Sequence, residues 1–83
     1  LNQNNHTLWF YTGIAYQSQK KFKEALNAYK QALNRKPTFA PAWQNVSLIQ
    51  FQQKDKKSAC QNIKKAYKYG SASAKKLIPK ICK

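Results

Sequence analysis

Apolar residues return along this chain at helical spacing, and short polar or proline-marked segments break the pattern into five stretches. In 6–19 the set Leu8, Trp9, Phe10, Tyr11, Ile14 and Ala15 fits a helix. In 22–34, Phe22, Ala25, Leu26, Tyr29, Ala32 and Leu33 fall at i, i+3, i+4, i+7, which makes an amphipathic helix. Pro37 ends that unit, because it cannot extend a helix and it restricts Lys36. Pro41 suits the first turn of a third helix over 40–53. A fourth spans 56–69, with Asp55 as its N-cap and Gly70 just past its end. Residues 72–82 form a last helix with Ala74, Leu77, Ile78 and Ile81 on one face, and Pro79 is expected to kink it or split it after Ile78.

The helices repeat in pairs. Trp9 and Trp43, Ala25 and Ala59, and Ala32 and Ala66 each stand 34 residues apart, as do Tyr29 and Ile63, Leu33 and Tyr67, and Lys30 and Lys64. The first copy reads Trp9, Thr12, Gly13, Tyr16, Ala25, Tyr29, Ala32, Pro37; the second reads Trp43, Val46, Ser47, Gln50, Ala59, Ile63, Ala66, with Ser71 where the proline would be. This series resembles the tetratricopeptide repeat. Thr12 departs from the pattern in the first copy, and the second copy is looser. The resemblance implies an all-α fold, a right-handed helix-turn-helix solenoid. Its parts are a first repeat at 6–39, a second at 40–71 and a capping helix at 72–83. Gly13, Ala25, Ala32, Ala59 and Ala66 are small where helices cross closely. The stretch Gly70-x3-Ala74-x3-Ile78 is similar to a junction in Sel-like relatives. The chain lacks methionine, and Leu1–Asn5 is similar to the tail of a preceding repeat, so a cut from a longer array is expected.

Charge changes the picture by its placement. Sixteen Lys and Arg against two acidic residues give +14, and Arg35 is the only arginine. The first helix of each pair, 6–19 and 40–53, has no charged residue at all. In the family these helices line the concave groove and the second helices face outward. The resemblance therefore implies an uncharged, partly aromatic groove built by Phe10, Tyr11, Ile14, Gln17, Gln44, Asn45, Leu48 and Phe51. The apolar members would pocket a peptide or helix of another protein, and Gln44 and Asn45 would hold its backbone through their amides. The alternative is that these residues pack on a neighbouring repeat, or on a second copy as a homo-oligomer. Lys23, Lys30, Lys57, Lys64, Lys65 and Lys68 form the outer face, a polyanion surface that would dock nucleic acid, acidic membrane or acidic protein as a secondary partner. Compositional bias towards Lys and Asn accounts for the same surplus, and arginine would be the better phosphate grip. Family members that clamp a C-terminal carboxylate need a fuller set. Of the matching slots Phe10, Ile14, Asn45, Lys75 and Pro79, only Asn45 and Lys75 fit, so that specialisation is not expected.

Catalysis is not expected: Glu24, Asp55 and His6 are too few and too scattered for acid–base work. Neither a cofactor nor a metal is expected, since two cysteines and a distant His6 do not make four ligands. His6 reads as a capping or solvated residue. Cys60 occupies the inward slot of Leu26, and Cys82 lies on the helix that should pack there. They form either a disulfide, which would imply an oxidising compartment, or two buried thiols. With the Lys and Asn usage, the pair points to an exported bacterial protein, periplasmic or envelope-associated, with the cytoplasm as the alternative.

Overall fold

The computed structural model describes residues 5–83, which form five helices: α1 (His6–Ser18), α2 (Phe22–Arg35), α3 (Ala40–Gln52), α4 (Lys56–Lys68) and α5 (Ala72–Ile81). The chain divides into two compact units at Thr38–Phe39. In the first, α1 packs on α2; in the second, α3 packs on α4 and α4 on α5. Among the described residues, no helix is long and apolar enough to cross a membrane. The expected tail of a preceding repeat lies outside the described residues except for Asn5, whose side chain caps α1 by accepting the Thr7 N–H at 2.8 Å.

Small residues set the helix pairing. Ala25 and Ala32 are fully buried on α2, as are Ala59 and Ala66 on α4, which lets the partner backbone come close. Tyr29 and Ile63 occupy the same frame position and are both fully buried. The Tyr29 hydroxyl leaves no orphan donor, because it donates to Gln17 Oε1 at 2.6 Å. Asp55 caps α4 by accepting the Ser58 N–H. Ser71, in the slot where the first repeat has Pro37, caps α5 by accepting the Ala74 N–H.

Three turns share one hydrogen-bond scheme. Lys21 N–H donates to Tyr16 O and Lys20 N–H to Gln17 O; Asp55 to Gln50 O and Lys54 to Phe51 O; Ser71 to Ala66 O and Gly70 to Tyr67 O. This is the Schellman closure, which needs a left-handed residue just past the helix end. Gly70 meets the demand at φ 110°, but Lys20 (62°) and Lys54 (67°) meet it with a side chain in place. A non-glycine residue there costs about 1–2 kcal/mol, partly offset by glycine's greater freedom when unfolded. Lys20→Gly and Lys54→Gly are each expected to stabilise the fold by roughly 0.5–1 kcal/mol. Thermal melts should show the gain, and Lys20→Ala and Lys54→Ala should not reproduce it.

One expectation needs correction, and one frame position departs from its counterpart. Helix α5 is not split after Ile78 but continues to Ile81. Pro79 removes a single ladder bond in the last turn of an exposed face, and Cys82 N–H to Ile78 O at 2.8 Å keeps the turn closed. Tyr67 holds the frame position of the buried Leu33, yet it is 47% exposed. The core formed with α5 runs through Ala59, Ile63 and Ala66, and Tyr67 lies outside it.

Candidate partner-binding site

In the first unit, α1 carries its apolar residues almost all round, so packing on α2 can bury only some of them. Gly13 is the one fully enclosed position, set against the Tyr29 ring. Trp9 is half-buried, with the Arg35 guanidinium 5.3 Å from its ring centroid. Phe10 is half-buried as well and bridges core to surface, its ring 5.7 Å from Tyr29 and 5.9 Å from Tyr11. Tyr11 (62% exposed) and Ile14 (38%) then stand in solvent. Leu8 joins them at 48%, one turn before Tyr11 and Thr12. Thr12 and Ser18 satisfy their hydroxyls within α1, on Leu8 O and Ala15 O, and bring no unpaired polar group to this face.

In the second unit, α3 distributes its expected site residues differently. Phe51 is exposed at 37%. Leu48 is half-buried and packs against the core of Ala59, Ile63, Ala66, Ala74 and Ile81. Gln44 is engaged: its Oε1 accepts the Ser71 hydroxyl, so it fixes the start of α5. Asn45 is half-buried. Gln50, outside the expected set, accepts from Asn62 Nδ2 at 2.8 Å and ties α3 to α4. Trp43 is half-buried under Lys65, whose Nζ lies 4.5 Å from the ring centroid.

Seven of the eight expected residues thus fall into two groups. Tyr11, Ile14 and Phe51 are exposed, whereas Phe10, Gln17, Gln44 and Leu48 serve the packing of their own unit. Sequence reasoning did not include Leu8. Its frame counterpart Ala42 is fully buried, so a frame-based reading places position 8 inside, and only its exposure puts it on the surface. All six lysines of the expected polyanion surface are exposed. Two of them are also placed over rings, Lys65 on Trp43 and Lys68 on Tyr69, contacts worth about 0.5–1 kcal/mol at exposed sites. An open hollow on the outer side of α5 is lined by Ala72, Ser73, Lys76, Leu77 and Lys80. No group of three or more metal-ligating side chains occurs among the described residues. Cys60 and Cys82 are joined by a disulfide, with their Cα atoms 4.9 Å apart.

The helix pairs, their 34-residue frame and their small crossing residues agree with what comparison finds: residues 7–39 match the tetratricopeptide repeat, and residues 40–69 match a second profile of the same repeat. The chain belongs to the tetratricopeptide repeat family. The matches end before the Gly70-x3-Ala74-x3-Ile78 stretch, so they give no support to a Sel-like junction. No curated protein matches the chain. Tetratricopeptide repeats are helix-pair solenoid units that mediate protein–protein contact and typically serve as non-enzymatic scaffolds.

Proposed function

We propose that this tetratricopeptide repeat protein binds an apolar or amphipathic segment of another protein through the uncharged faces of its first helices. Tyr11 and Ile14 on α1, with Leu8 beside them, are the contact residues of the first repeat. Phe51 on α3 is that of the second. One observation carries this reading: a chain of net charge +14 leaves large apolar side chains in water on the two helices that hold no charge. Isolated exposed apolar residues are ordinary, but Leu8, Tyr11 and Ile14 recur at i, i+3 and i+6 along a charge-free helix, which is the usual mark of a docking surface. Phe10 backs Tyr11 from the half-buried layer beneath, Leu48 packs on the core of its own unit, and Gln44 positions structure more than ligand.

The test is a selection of displayed random peptides on the folded protein, followed by affinity measurement at about 50 and 500 mM salt. Selected peptides are expected to be apolar or amphipathic, with affinity changing less than about threefold across that range. Tyr11→Glu or Phe51→Glu should weaken them by at least about tenfold, the size of a truncated hot spot. A second reading rests on the exposure of Lys23, Lys30, Lys57, Lys64, Lys65 and Lys68. Acidic peptides whose affinity collapses with salt and ignores both substitutions would replace the first reading with that one. Concentration-dependent self-association lost in the same variants would instead make the occupant a second copy.

A further inference from the structure

We propose that the Cys60–Cys82 disulfide is a redox latch on α5, and that reduction undocks this helix when the lysines of α4 and α5 are poorly screened. The inference does not depend on what α1 and α3 bind, because the bridge and the lysines that oppose it lie on α4, on α5 or directly after α5.

Helix α5 has ten residues, too few to hold helical structure in water without a partner. Three fixings keep it in place. Ala74 and Ile81 are buried, and Leu77 and Ile78 are half-buried, against Ala59, Ile63 and Ala66 of α4 with Trp43 and Leu48 of α3 at the edge. At its start, Ser71 joins Gln44 of α3 to the first turn. At its end, Cys82 is the C-cap residue and carries the covalent link to Cys60 on α4.

Charge opposes all three. Lys56, Lys57, Lys64, Lys65 and Lys68 lie on α4, Lys75, Lys76 and Lys80 on α5, and Lys83 follows. From Lys56 to Lys83 there is no aspartate or glutamate, so like charges on the two packed helices have no carboxylate between them. The nearest acid, Asp55, is occupied as the N-cap of α4. Repulsion of this kind acts over a Debye length, about 8 Å at physiological salt and about 30 Å at 0.01 M. The disulfide holds α5 against it regardless of salt.

Both cysteines are only half-buried, so a thiolate can approach. The reductant is a dithiol. One of its thiolates attacks a sulfur of the bridge and forms a mixed disulfide, and its second sulfur then displaces the protein thiol. Two electrons and two protons pass to the protein: Cys60 and Cys82 end as thiols, and the reductant ends as a disulfide. Undocking then uncovers Ala59, Ile63 and Ala66 together with the inner side of Leu48. Where the lysines are poorly screened, a change of redox compartment would therefore change which apolar surface this protein displays.

Amide hydrogen exchange on the intact protein tests this in both redox states, with dithiothreitol as the probe reductant, at about 20 and 500 mM salt. Reduced protein at low salt is expected to exchange amides of residues 74–82 on the order of 10- to 100-fold faster than oxidised protein. High salt should restore most of the protection, and α1 and α2 should not change. A Cys60→Ala/Cys82→Ala double variant without reductant should match the reduced wild type. Equal protection of α5 in the two redox states at low salt would overturn the latch. Faster exchange that high salt does not reverse would overturn the role given to the lysines. Protection lost equally across α3 and α4 would show that the bridge holds the unit rather than the helix.

Discussion

Gly13→Ala is expected to destabilise the protein by about 1–3 kcal/mol, even though alanine favours a helix by up to about 1 kcal/mol over glycine. A Cβ at this position would lie 2.5 Å from Tyr29 Cε1 and 2.6 Å from Cδ1, closer than any real contact. The ring has no room to retreat, because Tyr29 is fully buried and its hydroxyl is held by Gln17. The second repeat solves the same crossing with another pair: Ser47 stands at the glycine position and Ile63 at the tyrosine position, both fully buried. Moving that pair into the first repeat, as Gly13→Ser with Tyr29→Ile, should therefore cost less than the two single changes added together. A coupling of about 0.5–3 kcal/mol is the range for residues in contact. Urea unfolding would measure it as midpoint shifts at constant slope. If Gly13→Ala proved as stable as the natural protein, the close approach would not be what selects glycine.

Ile63→Ala should cost about 2–5 kcal/mol, the range for emptying a buried aliphatic site. Ile63 is fully buried in the core that α4 shares with α5. Phe51→Glu, on α3 of the same unit, should cost less than about 1 kcal/mol, because Phe51 stands at the solvent edge. The contrast separates core from contact surface with one instrument. Chemical denaturation followed by helical circular dichroism should give a clear midpoint loss for Ile63→Ala and little for Phe51→Glu. The reverse order would place Phe51 in the core and remove it from the proposed binding face.

Much of the fold was legible because two periodicities coincide. The 3.6-residue pattern sets five helices, and the 34-residue frame pairs four of them; each predicted helix end falls within one residue of the observed one. Capping residues carry their own signal, as with Asp55, Pro41 and Gly70. Lys20 and Lys54 could not be read this way, since lysine has no preference for left-handed backbone and takes it here only because the Schellman closure requires it. Pro79 misled for the opposite reason: its local preference to break a helix is real, but tertiary contacts on both sides of it outweigh one lost bond.

The site was less legible than the fold. The absence of charge from α1 and α3 is a property of the sequence, and it directs attention to those helices without the aid of coordinates. Periodicity could not say which of their apolar residues stay open. Phe10 and Tyr11 are neighbours of similar size, yet one leans on Tyr29 and the other faces water. Gln44 looks free to hold a peptide until Ser71 is found beside it, 27 residues along the chain.

The sequence by itself determined the repeat, its helices, the small residues at their crossings and the segregation of charge, because each depends on residue type at a fixed spacing. Tertiary structure alone decided exposure: Tyr11, Ile14 and Phe51 outside, Leu48 half inside, and Tyr67 in solvent where its counterpart Leu33 is buried. It also brought Cys60 to Cys82. The physical reason is that exposure and proximity depend on which neighbouring element covers a residue, and a helix's own spacing carries no record of its neighbour.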